Sequence, residues 1–210
     1  MNKKISALLL AGAMMLSLAA CGAKEETPAP APSTPAPEVS APATGEVAGL
    51  TAPIAEAPAL VTSGGQSADY QMIATVMGKV GMDYTVANLC TSADLGNAKT
   101  LIVVVGGSSK GLGAAGIDAD GELARLTELL DGAKAAGLTV IAMHTGGEAR
   151  RGELSDKFIT PIFEKADYAI VVTSGDEDGL MSGICASKGI PMDGIKSISE
   201  VATVLPAAFK

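Results

Sequence analysis

Tryptophan is absent, aromatic residues make up 3% of the chain, and there is one histidine. Single-stranded nucleic acids, many sugars and flavins are held by stacking on aromatic rings, and a chain this poor in rings lacks that platform. Positive charge is scarce too: 15 Lys and Arg face 23 Asp and Glu, a formal net charge of −8. A phosphate backbone needs a positive surface, so nucleic acid is not an expected partner. There are three cysteines, none beside a second Cys or the His at metal-ligand spacing, and neither a metal site nor a cofactor is expected. Only one apolar run is long, residues 5–20, and it falls short of the roughly 20 residues that span a bilayer.

What is present begins with that run. Lys3 and Lys4 precede it, and it closes on Leu18-Ala19-Ala20-Cys21-Gly22, small residues just ahead of a cysteine. A positive start, an apolar middle and a small-residue cleavage site describe a secretion signal, here of the lipoprotein kind (residues 1–20), with Cys21 freed for lipid attachment. Several acyl chains on one cysteine anchor a protein firmly, at about 0.8 kcal/mol per buried methylene. The expected location is therefore the extracytoplasmic side of a cell membrane. Loss of Lys3 and Lys4 takes the formal charge from −8 to −10.

Residues 21–58 are rich in Ala, Pro, Thr, Ser and Glu, as in Thr27-Pro28-Ala29-Pro30-Ala31-Pro32. Prolines block helix and sheet ladders and favour extended polyproline II, so this segment reads as a disordered tether behind the lipid. Residues 59–210 hold 12 Lys and Arg against 18 Asp and Glu, a net −6, and have the size of one domain. Cys90 and Cys185 could form a disulfide in an oxidising compartment, but read more simply as small packing residues.

Short β-branched runs alternate here with amphipathic stretches, the pattern of a parallel sheet covered on both faces. Strands are expected at Leu60-Val61-Thr62, Tyr84-Thr85-Val86, Leu101-Ile102-Val103-Val104-Val105, Thr139-Val140-Ile141-Ala142-Met143 and Ala169-Ile170-Val171-Val172. Helical stripes run through Met72, Ile73, Val76, Met77 and Val80, through Leu123, Leu126, Leu130 and Ala133, and through Phe158, Ile159, Ile162 and Phe163. A fourth helix carries Leu180, Met181 and Ile184 and stops at Gly189; a last one opens at Ser197 with Glu200 as a capping box. The expected fold is α/β, a single doubly wound parallel sheet of flavodoxin-like or Rossmann-like type, with about five strands ordered 2-1-3-4-5 and a short sixth near residues 190–192.

Four strands end in glycine-bearing loops: Ser63-Gly64-Gly65-Gln66-Ser67, Gly106-Gly107-Ser108-Ser109-Lys110, His144-Thr145-Gly146-Gly147-Glu148 and Ser174-Gly175-Asp176. All should lie at the carboxyl edge of the sheet, where open α/β folds bind ligands and glycine lets backbone N–H groups approach an anion. Tight turns alone would explain single glycines, whereas pairs after three strands point to a site. The expected contacts are Ser63, Gly64, Gly65, Gly107, Ser108, Ser109, Lys110, His144, Gly146, Gly147, Arg150 and Arg151. The N–H groups of Gly64, Gly65, Gly107 and Ser108 would receive the anion, and Lys110, Arg150 or Arg151 would neutralise it. Against this, Glu148, Glu153 and Asp156 could simply pair with the cations.

The expectation is thus a receptor for a small anionic solute rather than an enzyme. His144 is the one side chain suited to act as a neutral-pH base, so a hydrolase or transferase using it with Ser63, Ser108 or Ser109 is the rival. No Gly-x-Ser-x-Gly elbow or third member supports that pairing. A third reading has the same loops dock onto a membrane protein. Asp176, Glu177 and Asp178 could hold a divalent cation but are explained by the dipole of the helix they open.

The segment Gly107-Ser108-Ser109-Lys110-Gly111-Leu112-Gly113 resembles the cofactor loop of short-chain dehydrogenases. It follows the third strand rather than the first, the next helix is expected only at about Asp120, and Tyr70, Tyr84 and Tyr168 lack a lysine four residues on, so nicotinamide is not expected. The Ser63-to-Asp69 start, the Val105-to-Gly113 centre and the Met143-to-Gly152 loop together resemble a family of bacterial exported proteins catalogued as a domain of unknown function. That resemblance implies no reaction and carries over no catalytic residue.

Overall fold

The structure is a computed structural model that describes residues 47–210. Cys21, the signal segment and most of the tether lie outside the described residues. Six strands form one parallel sheet: β1 (Ala59–Gly64), β2 (Tyr84–Val86), β3 (Thr100–Val105), β4 (Thr139–His144), β5 (Tyr168–Val172) and β6 (Met192–Ile195), in the order β2-β1-β3-β4-β5-β6. The expected order of the first five holds, and the sixth strand is full-fledged. It starts two residues late because Ile190 N still bonds to Cys185 O and Pro191 has no N–H to give.

Between the strands run α1 (Asp69–Lys79), α2 (Ser109–Ala115), α3 (Ala119–Ala135), α4 (Glu153–Phe163), α5 (Leu180–Lys188) and α6 (Val201–Ala207). Alternation along each strand sorts the core into two layers. Leu101, Val103 and Val105 face Leu126, Leu130, Phe158 and Ile162 of α3 and α4, with Met181 of α5. Ile102, Val104, Ile141 and Met143 face Ile73 and Met77 of α1 and Val201 and Leu205 of α6. Phe158, Ile159, Ile162 and Phe163 are wholly buried, each stabilising by about 1.5–3 kcal/mol. Cys90 and Cys185 are free and buried, as packing residues. Burial pushes the Cys185 thiol up to about 12 and raises that of Cys90, which leaves both unreactive.

Two local expectations are corrected. A helix opens at Ser109, well before Asp120: Ser108 Oγ accepts Gly111 N, and Gly116 closes α2 in the left-handed conformation. Cap and Leu112 burial offset the poor helix propensity of Gly111 and Gly113. At the other end, Ser197 makes no side-chain cap; Glu200 bonds back to Lys196 N, and a 3-10 turn at Ile198–Glu200 precedes α6.

Residues 47–58, read from sequence as tether, form a strap along the amino edge of the sheet. Met192 N bonds to Ala48 O, Leu50 N to Asp193, and Ile54 N and Ala55 N both to Ala208 O. Glu56 exchanges hydrogen bonds with Thr100 Oγ1, Ile54 O accepts from Thr139, and Lys210 pairs with Glu56. A chain shortened to begin at Ala59 should be less stable than one beginning at Val47 by on the order of 3 kcal/mol, at a net ~0.5–1.5 kcal/mol per hydrogen bond. Thermal unfolding of the two should differ by about 6–12 °C; equal melting would mean the strap contributes nothing.

Candidate functional site

The carboxyl edge is built on a buried ion pair. Glu122, fully buried on the first turn of α3, takes two hydrogen bonds from Arg125, at 2.8 and 2.7 Å. Arg125 also donates to Ser63 O and Cys90 O, each at 2.7 Å, and Glu122 Oε1 accepts from Gly65 N and Gln66 Nε2. One pair thereby fixes the loops after β1 and β2. Gln66 sits at φ +62, a left-handed conformation unusual for a residue with a side chain, and bridges in antiparallel fashion to Gly107. Ser67 N bonds to Gly106 O, and Ser108 N to Gly65 O. Close approach demands glycine here: a Cβ on Gly111 would stand 1.9 Å from Gln66 O, and one on Gly65 2.7 Å from Gly106 O.

These bonds correct the expected anion cradle. Gly65 N is held by Glu122, Gly107 N by Ser155 Oγ at 2.9 Å and Ser108 N by Gly65 O. Gly64 is buried inside β1, and a Cβ there would strike Ile162. Ser63 is buried with its hydroxyl on Ser67 O, and the Ser108 hydroxyl caps α2. Gly147, at φ +60, lets Ser174 approach. The paired glycines join loop to loop. Ser109 and Lys110 are exposed on α2, and Lys110 has no ion-pair partner among the described residues.

The two adjacent arginines differ. Arg151 is gripped by Asp156 and Asp178 with two hydrogen bonds each and by Gly175 O, and its side chain is 14% exposed. That guanidinium holds the Asp178 carboxyl at about 2. Asp176 caps α5 through Met181 N and Ser182 N, and no group of three possible metal ligands occurs among the described residues. Arg150 touches a carboxylate only through Nε, at 3.1 and 3.4 Å from the two oxygens of Asp69, and its side chain is 39% exposed. Neither Nη has a protein partner among the described residues. Asp69, the first residue of α1, has a side chain 9% exposed, which among the described residues takes no hydrogen bond but this one. Gly106 and Gly146 make the room: a Cβ on either would lie 3.1 or 3.2 Å from Asp69 Oδ2.

His144 ends β4 and is wholly buried. Its Nε2 lies 3.3 Å from Arg150 O, while Nδ1 has no partner among the described residues and would be 2.8 Å from a Cβ on Gly175. Neither nitrogen meets a hydroxyl, so the serines expected beside it form no nucleophile–base pair. Thr145 Oγ1 is likewise buried without a partner. Thr145 directly follows β4 and precedes the Gly146 that Arg150 and Asp69 flank. Sequence reading missed Asp69, Thr145, Glu122 and Arg125. A depression of about 370 Å³ on the β2 side of the edge, lined by Gln66, Tyr70, Gln71, Asn88, Leu89 and Ala114 among others, carries no charged side chain.

A family model, DUF6305, described as a domain of unknown function, matches residues 56–209. The chain belongs to the DUF6305 family. No curated protein is significantly similar to it in sequence. Among solved structures, this DUF6305 chain is similar to the psychrotrophic esterase EstA from Pseudoalteromonas sp., in a form inhibited by monoethylphosphonate, with 13% identity over 65% of this chain and 76% of that one and a TM-score of 0.29. It is similar to TesA with 14% identity over 64% and 77% of the two chains, again at a TM-score of 0.29. Neither value carries an activity across to the DUF6305 domain.

Two measurements check this geometry. Glu122→Ala leaves Arg125 buried without its carboxylate and should cost about 3–5 kcal/mol of stability in denaturant unfolding; a loss under about 1 kcal/mol would refute the role given to the pair. Burial holds the His144 imidazole below its ordinary 6.5. The unfolded chain therefore takes up a proton that the folded chain resists, and stability should fall as pH drops below about 6.5, by up to ~1.4 kcal/mol per unit. His144→Gln should remove that part of the slope, and an unchanged slope would assign it to other groups.

Proposed function

We propose that this DUF6305 domain is a lipid-anchored, extracytoplasmic binding domain that holds a small solute by an anionic group on Arg150. The supporting observation is the contrast between neighbours: Arg151 has its donors engaged by two carboxylates and a carbonyl, whereas Arg150 presents both Nη groups unpaired at the carboxyl edge. A planar guanidinium with its outer fork open suits a carboxylate or phosphate in two-pronged contact. The buried Thr145 hydroxyl, one residue before Gly146, has no partner among the described residues, and a buried polar group is costly until it is bonded. The expected backbone cradle gives way in this reading to a side-chain site. Hydrolysis through His144 is not favoured, since that ring is buried and has no hydroxyl partner. Attachment through Cys21 would suit such a receptor: the strap runs along the amino edge, opposite the loops, and would leave the site unobstructed.

Thermal unfolding of the full chain against a panel of small carboxylates and phosphates tests this. A ligand at one hundred times its Kd adds about 2.7 kcal/mol, a rise of roughly 5–10 °C for a domain of this size. Arg150→Ala should abolish the shift measured from its own unliganded value; that value should itself fall, because buried Asp69 loses its donor. Arg151→Ala should lower the unliganded melting temperature by freeing Asp156 and Asp178. A shift that survives Arg150→Ala would overturn the assignment, and no shift with any compound would turn the search to a protein partner.

A further inference from the structure

The Arg150 site has a second half that the binding of a simple anion would not use. Asp69 is more than nine-tenths buried, yet among the described residues its carboxylate receives only the single Nε of Arg150, at distances no better than 3.1 Å. A buried carboxylate is ordinarily satisfied by several donors, as Glu122 is by Arg125, Gly65 and Gln66. Asp69 and Arg150 are thus each half-satisfied, one short of donors and the other short of acceptors. Gly106 and Gly146 flank Oδ2, and a Cβ at either position would crowd it together with Ser67 Oγ or the Arg150 side chain.

Charge decides what completes the pair. Asp69 offsets Arg150, so the pair is close to neutral, and burial keeps adjacent His144 uncharged near neutral pH. Residues 59–210 carry a net −6. A free anion would meet a site with no net attraction on a surface of its own sign. A ligand carrying both charges, with no net charge, would avoid that repulsion and supply each half with its missing partner. We propose that the solute is a zwitterion of the α-amino-acid type, its carboxylate on the Nη fork of Arg150 and its ammonium on Asp69. This rests on the Arg150 reading above and adds Asp69 as the specificity-determining residue. An ammonium gives Asp69 a charge-assisted hydrogen bond, where a 2-hydroxy acid would give a neutral one, and a site built to bond a donor discriminates against ligands lacking it.

The test is calorimetric titration of the full chain with L-alanine, L-leucine, L-serine and L-glutamine, each against its 2-hydroxy acid and its N-acetyl derivative, with succinate and inorganic phosphate as plain anions. At least one amino acid should bind ten times or more tighter than both of its analogues, and Asp69→Asn should erase that preference. Equal binding of an amino acid and its hydroxy or acetyl analogue would overturn the zwitterion proposal while leaving the Arg150 site standing. So would Arg150-dependent binding of succinate or phosphate with no amino acid bound. Absence of binding by every probe would remove both readings. The ligand comparison is made on the unaltered chain, so it decides the matter even if Asp69→Asn fails to fold.

Discussion

The carboxyl edge of this domain depends on the Glu122–Arg125 pair. Two charges on one turn of α3 would be an odd choice for a buried surface, because desolvating them is expensive unless every remaining donor and acceptor is met. Here they are largely met, and mostly by backbone: Arg125 donates to Ser63 O and Cys90 O, and Glu122 accepts from Gly65 N and from the Gln66 side-chain amide. The pair therefore acts less as a source of stability than as a clamp that gives the β1 loop one conformation. Gln66 in its left-handed state and its bridge to Gly107 follow from that clamp, as does the placement of Ser67 and Asp69 over the ends of β3 and β4.

Such a clamp changes what the glycines mean. A Gly-Gly pair after a strand at the switch point of a doubly wound sheet suggests N–H groups waiting for a phosphate. In this domain the N–H groups of Gly65, Gly107 and Ser108 close on Glu122, Ser155 and Gly65, and the missing side chains serve to bring loops within van der Waals reach. The proposed site accordingly rests on side chains and not on backbone, on Arg150 and Asp69 at the same edge.

The sheet was legible in the sequence because parallel strands buried on both faces leave unbroken β-branched runs, and Leu101 to Val105 or Ala169 to Val172 admit few other readings. The carboxyl-edge location of the loops follows from that topology. What could not be read was the partnering of charges. Arg150 and Arg151 are adjacent and chemically identical, and only the fold puts Asp156 and Asp178 around one and Asp69 beneath the other. Asp69 opens α1, a position where the helix dipole alone favours an acid. Its pairing across 81 residues has no local signature. Helix α2 was missed for a related reason: glycines at 111 and 113 speak against a helix, while the contacts that require Gly111, against Gln66, are long-range.

The distribution of cations supplies the last constraint. In an acidic domain each positive group has carboxylates to choose from, and Lys134, Lys157, Lys165 and Arg151 are all matched with partners on neighbouring elements. Those pairs are mostly exposed and contribute little singly, but they show the usual outcome when a cation lies within reach of an acid. Arg150 lies within reach of Asp69, with Glu148 two residues away, and still engages only by Nε. A two-nitrogen contact, such as Arg151 makes with Asp156 and with Asp178, is the stronger arrangement for a purely structural pair. In the proposed reading, a one-nitrogen contact that leaves the Nη fork open is the geometry of a pair held apart for a third participant.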